Sequence, residues 1–214
     1  MIVKNNYVLK DDVVSVRETT SLQKALGIIE TSNYRCIPIL DKKGKKYVGM
    51  LFHKHIETYL SNSYRQGKEP DMGVECAFLA AEKKAIVEEE SSFQKALSTV
   101  KRLPFVAVVD EKGCFAGILT HNKVFEILEQ SLGLHSGNLL YTLACPETIG
   151  SLYELTKILK KLNINIEGMT TLDDGSRFVR RVMFAVMTLD KTRKETLKRK
   201  LDEKGFRIIH IESI

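Results

Sequence analysis

Apolar residues recur at helical spacing in two separate stretches of the chain. Leu22, Ala25, Leu26 and Ile29 form one stripe, and an equivalent second stripe follows further on, at Phe93, Ala96, Leu97 and Val100. Intervals of three and four residues predict an amphipathic helix in each stretch. The patterns Thr20-x-x-Gln23 and Ser91-x-x-Gln94 come just before, and they predict a capping box at each helix start.

The two helices belong to a longer internal repeat. The run SLQKAL at 21–26 returns as SFQKAL at 92–97, PILDKKG at 38–44 as AVVDEKG at 107–113, and GML at 49–51 as GIL at 117–119. A strand-like apolar run before each helix, two strands after it and a closing helix predict a β-α-β-β-α unit made twice. The two copies cover roughly residues 10–60 and 82–130. The closing helices carry Ile56 with Leu60 and Val124 with Leu128, which we expect at a dimer contact.

The second half of each copy resembles the CBS domain. The shared pattern is apolar-apolar-Asp-x-x-Gly, followed by Gly-apolar-apolar, at 39–51 and 108–119. The resemblance implies that the two copies form an intramolecular pair whose cleft binds an adenine nucleotide. In this family a Thr or Ser after the second motif contacts phosphate, and an Asp three residues later bonds a ribose diol. Here copy 1 has Phe52 and His55 at those positions, and copy 2 has Thr120 and Lys123.

These departures favour cyclic di-AMP over AMP or ATP, because cyclic di-AMP has no free 2′,3′-diol and cationic side chains suit phosphate. The chain is similar in this respect to bacterial cyclic di-AMP-binding CBS proteins. We expect Arg35 to stack on a base or hold a phosphate. The expected cleft residues are Val13, Arg35, Cys36, Ile37, His55, Ile86, Phe105, Val106, Thr120 and Lys123.

The sequence pattern of the C-terminal third of the chain predicts a different kind of domain. A strand at 139–143 precedes a capping box, Ser151-x-x-Glu154, and a helix striped by Leu152, Leu155, Leu159 and Leu162. A strand opening at 163–166, a hairpin signal at 173–176, a strand at 178–189, a helix at 191–204 and a last strand at 206–211 follow. The order β-α-β-β-α-β is ferredoxin-like.

This order and the loop before the first helix resemble the ACT domain, a regulatory module that binds amino acids between subunits. The resemblance implies a site framed by the loop at Ile149 and Gly150 and by Asn163 and Asn165. A CBS pair fused to an ACT domain is also similar to the acetoin-utilisation proteins. We therefore divide the chain into CBS repeat 1 (1–62), a linker (63–81), CBS repeat 2 (82–132), a second linker (133–138) and an ACT-like domain (139–214). The predicted class is mixed α/β (α+β).

Composition excludes several other classes. The chain has 33 Lys and Arg against 27 Asp and Glu, a net charge of +6 that is spread along 214 residues, so we expect no nucleic-acid partner. No apolar run approaches the ~18 residues of a membrane helix. The four cysteines form no Cys-x-x-Cys pair, and the five histidines offer no ligand set, so we expect no metal, no cofactor and a reduced, cytoplasmic protein.

No catalytic motif is present in the sequence, so we expect a non-enzymatic sensor. The predicted partners are cyclic di-AMP in the cleft, an amino acid at the ACT-like domain, a protein that receives the signal, and a second copy in a homodimer. Two alternatives stay open at this point. One is an interaction scaffold with vestigial sites, and the other is a regulatory subunit of a metabolic enzyme that binds AMP or ATP.

Overall fold

The computed structural model describes residues 3–4, 6–173, 175 and 179–214, and it divides the chain into two compact units, Met1–Val124 and Phe125–Ile214. The strands are β1 Val8–Leu9, β2 Val16–Arg17, β3 Cys36–Leu40, β4 Tyr47–Phe52, β5 Ile86–Glu88, β6 Phe105–Val109, β7 Phe115–Thr120, β8 Leu139–Pro146, β9 Gly168–Asp173, β10 Val179–Val186 and β11 Arg207–Ser213. The helices are α1 Leu22–Ser32, α2 His53–Arg65, α3 Phe93–Val100, α4 His121–Leu132, α5 Ser151–Lys161 and α6 Lys191–Asp202. The mixed α/β class is confirmed.

The two repeat helices bury the predicted stripes but start one residue later than the predicted capping boxes. The Ser21 hydroxyl accepts a hydrogen bond from the Lys24 N–H at 3.4 Å, and the Ser92 hydroxyl accepts one from the Lys95 N–H at 3.3 Å. The predicted boxes at Thr20 and Ser91 are therefore wrong. A cap must stand directly before the first helical residue. The Thr20 hydroxyl instead accepts from the backbone N–H of Arg17.

Each repeat sends its leading segment onto the other repeat. The sheets of the first unit have the orders β2-β3-β4 and β1-β7-β6-β5, so β1 of the first repeat pairs with β7 of the second. Reciprocally, Ala81, which precedes the second repeat, exchanges two backbone hydrogen bonds of 2.7 and 2.9 Å with Met50 of β4. Ahead of β1, the Val3 N–H donates to the Ser91 carbonyl at 3.0 Å, and the Tyr7 hydroxyl donates to Glu89. The two repeats are thereby interlocked.

The interlock explains the glycine that recurs in both copies. A Cβ on Gly117 would lie 2.0 Å from the carbonyl oxygen of Val8, and a Cβ on Gly49 would lie 2.7 Å from that of Ala81. Both contacts are closer than van der Waals distance, and both are with backbone. The repeated glycine therefore leaves the space through which the leading segment of the other repeat runs.

The second unit is a four-stranded antiparallel sheet of order β11-β8-β10-β9, and its core includes residues of α5 and α6. The β-α-β-β-α-β order is as predicted. The core centres on the stacked rings of Tyr141 and Phe184, whose centroids are 5.2 Å apart. Leu155 and Leu159 of α5, with Leu197 and Leu201 of α6, pack on it.

Two local predictions in this unit are wrong, and one lies outside the described residues. Residues 163–166 open no strand, because Asn163 takes a left-handed conformation (φ 52°) after α5 and β9 begins at Gly168. The predicted capping box Ser151-x-x-Glu154 is also wrong, because Gly150 (φ 88°) stands directly before α5 and gives no side-chain cap. The Ser151 hydroxyl instead donates to the Pro146 carbonyl at 2.8 Å. Asp174 and Ser176 of the predicted hairpin, and Phe178 at the predicted strand start, lie outside the described residues.

None of the helices in the described part of the chain combines the length and the apolar character that a membrane span requires.

We expect Gly117→Ala to destabilise the first unit by about 1–3 kcal/mol, because the new methyl group overlaps the Val8 carbonyl and forces β1 away from β7. Gly27→Ala is the matched control. Gly27 lies within α1 with no atom near the position of a Cβ, so the same substitution should stabilise by about 0.5–1 kcal/mol. Urea unfolding of both variants checks the signs. A Gly117→Ala protein as stable as the wild type would contradict the interlock.

Candidate functional site

A cavity of about 290 Å³ lies between the two repeats. The first repeat contributes its leading segment and the start of β3, namely Val8, Asp12, Val13, Val14, Tyr34, Arg35, Cys36, Ile37 and Pro38. The second repeat contributes Pro104, Phe105, Ile118, Thr120 and Asn122. Both repeats are needed to enclose this space.

The interlock positions one wall of the cavity. Because β1 pairs with β7, Val8 lies opposite Ile118, and the short 3-10 turn Lys10–Asp12 follows at the rim. The Lys10 ammonium donates to the Gly44 carbonyl at 2.7 Å, which fixes this turn to the first repeat. Asp12 is thereby brought beside residues of the second repeat.

The opposite wall comes from two chain turns. Asn33 ends α1 in the left-handed conformation (φ 56°) and directs Tyr34, Arg35 and Cys36 towards the cavity. The backbone carbonyl of Arg35 accepts a hydrogen bond from the His53 N–H at 3.0 Å, so the start of β3 is tied to the start of α2.

Thr120 has both a structural and a cavity-lining position. It ends β7 directly before α4, and its hydroxyl accepts a hydrogen bond from the Lys123 N–H at 3.2 Å, as an N-cap does. It also lies opposite Phe105 in the strand register. The hydroxyl oxygen that borders the cavity is therefore held in one place by the helix that follows.

The cavity is apolar inside and polar at its mouth. Burial raises the pKa of the Cys36 thiol to about 12, so this side chain is neutral at physiological pH and contributes as a small apolar group. Tyr34 and Arg35 are exposed at the mouth, and Asp12 and Asn122 add a carboxylate and an amide. Apolar walls with a few polar groups are typical of small-molecule sites.

A second, more open pocket, the outer groove, adjoins the cavity. It has a volume of about 860 Å³ and shares three lining residues with the cavity, Tyr34, Arg35 and Pro104. Its other lining residues are Ile29, Glu30, Asn33, Phe52, His53, Lys54 and Glu57. The His53 ring and the Glu57 carboxylate are 3.6 Å apart, whereas the Lys54 ammonium forms no ion pair with any residue that the structure describes. The outer groove therefore presents the cations of Arg35 and Lys54 next to the cavity mouth.

Six of the ten cleft residues predicted from the sequence line this cavity: Val13, Arg35, Cys36, Ile37, Phe105 and Thr120. The structure does not bring Ile86, Val106, His55 or Lys123 into its lining. Val106 follows Phe105 on β6, so its side chain faces the opposite side of the sheet, where it is fully buried. Ile86 is 39% exposed at the start of β5. His55 and Lys123 are the third residues of their helices, and the second residue of α4, Asn122, faces the cavity instead. The His55 ring packs on Phe52 with centroids 4.9 Å apart.

Eight lining residues were missed by the sequence analysis, and three of them are polar: Asp12, Tyr34 and Asn122. Tyr34 and Asn122 each adjoin a predicted position, so only the side-chain direction was unknown. Asp12 likewise adjoins the predicted Val13, and it was missed because only an apolar contact was expected from this segment.

The predicted amino-acid site of the second unit does not come together within one chain. Gly150 lines a pocket of about 360 Å³ beside the Arg180–Glu147 ion pair, whose N–O distances are 2.9 and 3.0 Å, while Ile149 is fully exposed. Asn163 and Asn165 line a separate groove of about 730 Å³. These residues flank opposite ends of α5, which at 11 residues is about 16 Å long.

Within the residues that the structure describes, no group of three or more His, Cys, Asp or Glu side chains is placed to hold a metal ion.

Comparison with known proteins supports the assignment of the first repeat. Residues 3–62 match the model of the CBS domain. No curated protein sequence matches the chain. The CBS resemblance is therefore confirmed for this segment, whereas the likeness to ACT and acetoin-utilisation proteins rests on the sequence pattern alone.

Solved structures share the fold at low identity. The crystal structure of CbpB in complex with c-di-AMP is 18% identical, with a TM-score of 0.53 over 60% of this chain and 85% of that chain. A hypothetical conserved protein from Geobacillus kaustophilus is 24% identical, with a TM-score of 0.54 over 62% and 98%. CBSX2 in complex with AMP is 19% identical, with a TM-score of 0.52 over 60% and 96%. At this identity the likeness shows the fold.

Proposed function

We propose that this chain is a non-catalytic regulatory protein that binds an adenine nucleotide between its two repeats, and that the nucleotide is cyclic di-AMP. The observation that carries the proposal is the pair of adjoining compartments, the inter-repeat cavity and the outer groove, which meet at Arg35. A cyclic dinucleotide has two bases joined by two phosphates, and the site has two compartments joined at a cation.

The sizes of the compartments support a ligand with two bases. Ligand pockets usually measure about 300–1,000 Å³, so a cavity of about 290 Å³ is at the lower end and suits one base with its sugar. The second base then lies in the outer groove, over Phe52. Arg35 stands between them, where its planar guanidinium forms charge-assisted hydrogen bonds with phosphate oxygens, and Lys54 adds a second cation.

Asp12 changes the sequence argument for this ligand. Positions 55 and 123 lack the carboxylate that reads a ribose diol, but Asp12 supplies one from the exchanged segment. A carboxylate accepts hydrogen bonds from an adenine amino group or a ribose hydroxyl, and cyclic di-AMP keeps both kinds of donor. The preference for cyclic di-AMP therefore rests on the two joined compartments rather than on a missing carboxylate.

Structures of the same fold are consistent with an adenine nucleotide. CbpB was crystallised with c-di-AMP, and CBSX2 was crystallised with AMP. These ligands belong to those proteins, and they support adenine as the base without choosing between the two ligands.

We expect cyclic di-AMP to bind at least tenfold more tightly than AMP or ATP, measured by isothermal titration calorimetry. Arg35→Ala should weaken cyclic di-AMP binding by about tenfold or more, because a charge-assisted hydrogen bond contributes about 1.5–3 kcal/mol. Arg65→Ala is the matched control. Arg65 is an exposed arginine at the last residue of α2, away from the cavity, and its loss should change the affinity less than twofold.

Equal affinities for AMP and cyclic di-AMP would contradict the choice of ligand while leaving an adenine site in place. The absence of binding by all three nucleotides would contradict the proposed function. An equal effect of Arg35→Ala and Arg65→Ala would show that Arg35 has no specific contact.

We further propose that the second unit is an ACT-type domain that joins two chains into a homodimer through β11. Strand β11 is an edge of the sheet, and it exposes two isoleucines, Ile209 (49% exposed) and Ile211 (43%). The other edge, β9, carries Thr170, Thr171 and Asp173 beside a single exposed leucine, Leu172. An unpaired apolar edge favours strand addition by a second copy. Of the residues expected at a dimer contact on the closing helices, Ile56 and Val124 are buried within the chain, Leu60 is half-buried and Leu128 is 44% exposed.

Sedimentation at micromolar concentration should give twice the chain mass of 24.3 kDa. Ile211→Lys should shift the protein to monomer, because a lysine on an edge strand opposes pairing. Leu172→Lys on β9 is the control and should leave the dimer intact. A wild-type monomer, or dissociation by Leu172→Lys alone, would contradict pairing through β11.

A further inference from the structure

The internal repeat relates residues that border the inter-repeat cavity to residues on the other side of the pair. The recurrence of GML at 49–51 as GIL at 117–119 relates Phe52 to Thr120, and the recurrence of PILDKKG relates Cys36 to Phe105. The strand registers agree with these relations, because Phe52 lies opposite Cys36 and Thr120 lies opposite Phe105. An intact second cavity would be bordered by Phe52 where the first is bordered by Thr120.

The two cross-strand pairs are reversed in size. In the second repeat a large Phe105 faces a small Thr120, and in the first repeat a small Cys36 faces a large Phe52. Cys36 and Phe105 both border the open cavity, as does Thr120. Since Cys36 and Phe105 border the cavity together, the difference at this pair of positions is that one side has a threonine and the other a phenylalanine.

Phe52 borders the outer groove and also packs inward against apolar side chains. Phe52 packs against a hydrophobic cluster that includes Met50, Ala85 and Phe105, with relative exposures of 0%, 4% and 4%. Leu103, which takes the place of Tyr34 by the same relation, packs against this cluster too. On the open side the corresponding Tyr34 is 53% exposed at the cavity mouth. Phe52 and Leu103 thus pack against apolar side chains, whereas the corresponding Thr120 and Tyr34 border the open cavity.

We infer that Phe52 closes the second nucleotide site, so that each chain buries one adenine. This inference rests on the proposed function. It also explains the asymmetry of the proposed complex, since the second base of cyclic di-AMP meets the ring of Phe52 in the outer groove instead of entering a second cavity.

The test uses AMP, which carries one base, and measures how many molecules bind per chain at saturation by equilibrium dialysis of the full-length protein. We expect one AMP per chain for the wild type and two for Phe52→Thr, which reproduces the threonine of the open side. Phe52→Leu is the matched control, because it keeps an apolar side chain against the cluster, and it should stay at one.

The reciprocal variant tests the same point without opening the core. Thr120→Phe should fill the open cavity and abolish AMP binding, and the double variant Phe52→Thr/Thr120→Phe should bind one AMP again, now on the other side. Far-UV circular dichroism identifies the variants that fold. If Phe52→Thr does not fold, the wild-type stoichiometry and Thr120→Phe still decide the inference.

The outcomes separate the inference from the proposed function. Two AMP per wild-type chain, a single AMP per folded Phe52→Thr chain, or undiminished AMP binding by folded Thr120→Phe would overturn the role of Phe52 while leaving a nucleotide site. Binding of cyclic di-AMP without any binding of AMP at millimolar concentration would also overturn it. The failure of AMP, ATP and cyclic di-AMP alike would overturn the proposed function itself.

Discussion

The reciprocal exchange of leading segments is the constraint on which the first unit depends. A short β-α-β-β-α unit offers too small a core to be stable alone, and each repeat here completes its partner by adding a backbone segment to it. Residues 8–9 extend the sheet of the second repeat, and Ala81 bonds to β4 of the first. Gly49 and Gly117 are required at the crossings because any side chain would overlap the carbonyl oxygen of the crossing segment.

The same exchange creates the site. It carries Asp12 and the valines of the leading segment to the end of β7, where Thr120 is already fixed as the cap of α4. The cavity is therefore a product of the pairing and not of either repeat. The two repeats differ at related positions such as Phe52 and Thr120: Thr120 lines the cavity, whereas Phe52 packs against an apolar cluster and borders the outer groove.

The sequence predicted helices and strands correctly where their buried apolar residues recur at regular intervals. The stripes of α1 and α3, the repeat and the β-α-β-β-α-β order were readable because buried apolar side chains must recur with the period of their element. Helix starts were predicted one residue early, since Thr20 and Ser21 are adjacent hydroxyl residues and only geometry decides which one caps. The strand expected at 163–166 failed because Asn163 turns left-handed after α5, a conformation that Asn tolerates.

The site was predicted in part. Among the strand positions, Cys36, Phe105 and Thr120 line the cavity, whereas Ile86 and Val106 do not. The helix positions His55 and Lys123 were misplaced because neighbouring residues on a helix point about 100° apart. Asp12 was missed although its neighbour Val13 was predicted, because only apolar contacts were expected from the leading segment. The central claim, a nucleotide enclosed by segments of both repeats, is tested most directly by hydrogen exchange with and without saturating cyclic di-AMP. The account predicts slower amide exchange at 8–14, 34–38 and 118–122 together, with the strands of the second unit unchanged. Protection confined to one repeat, or found in the second unit alone, would contradict it.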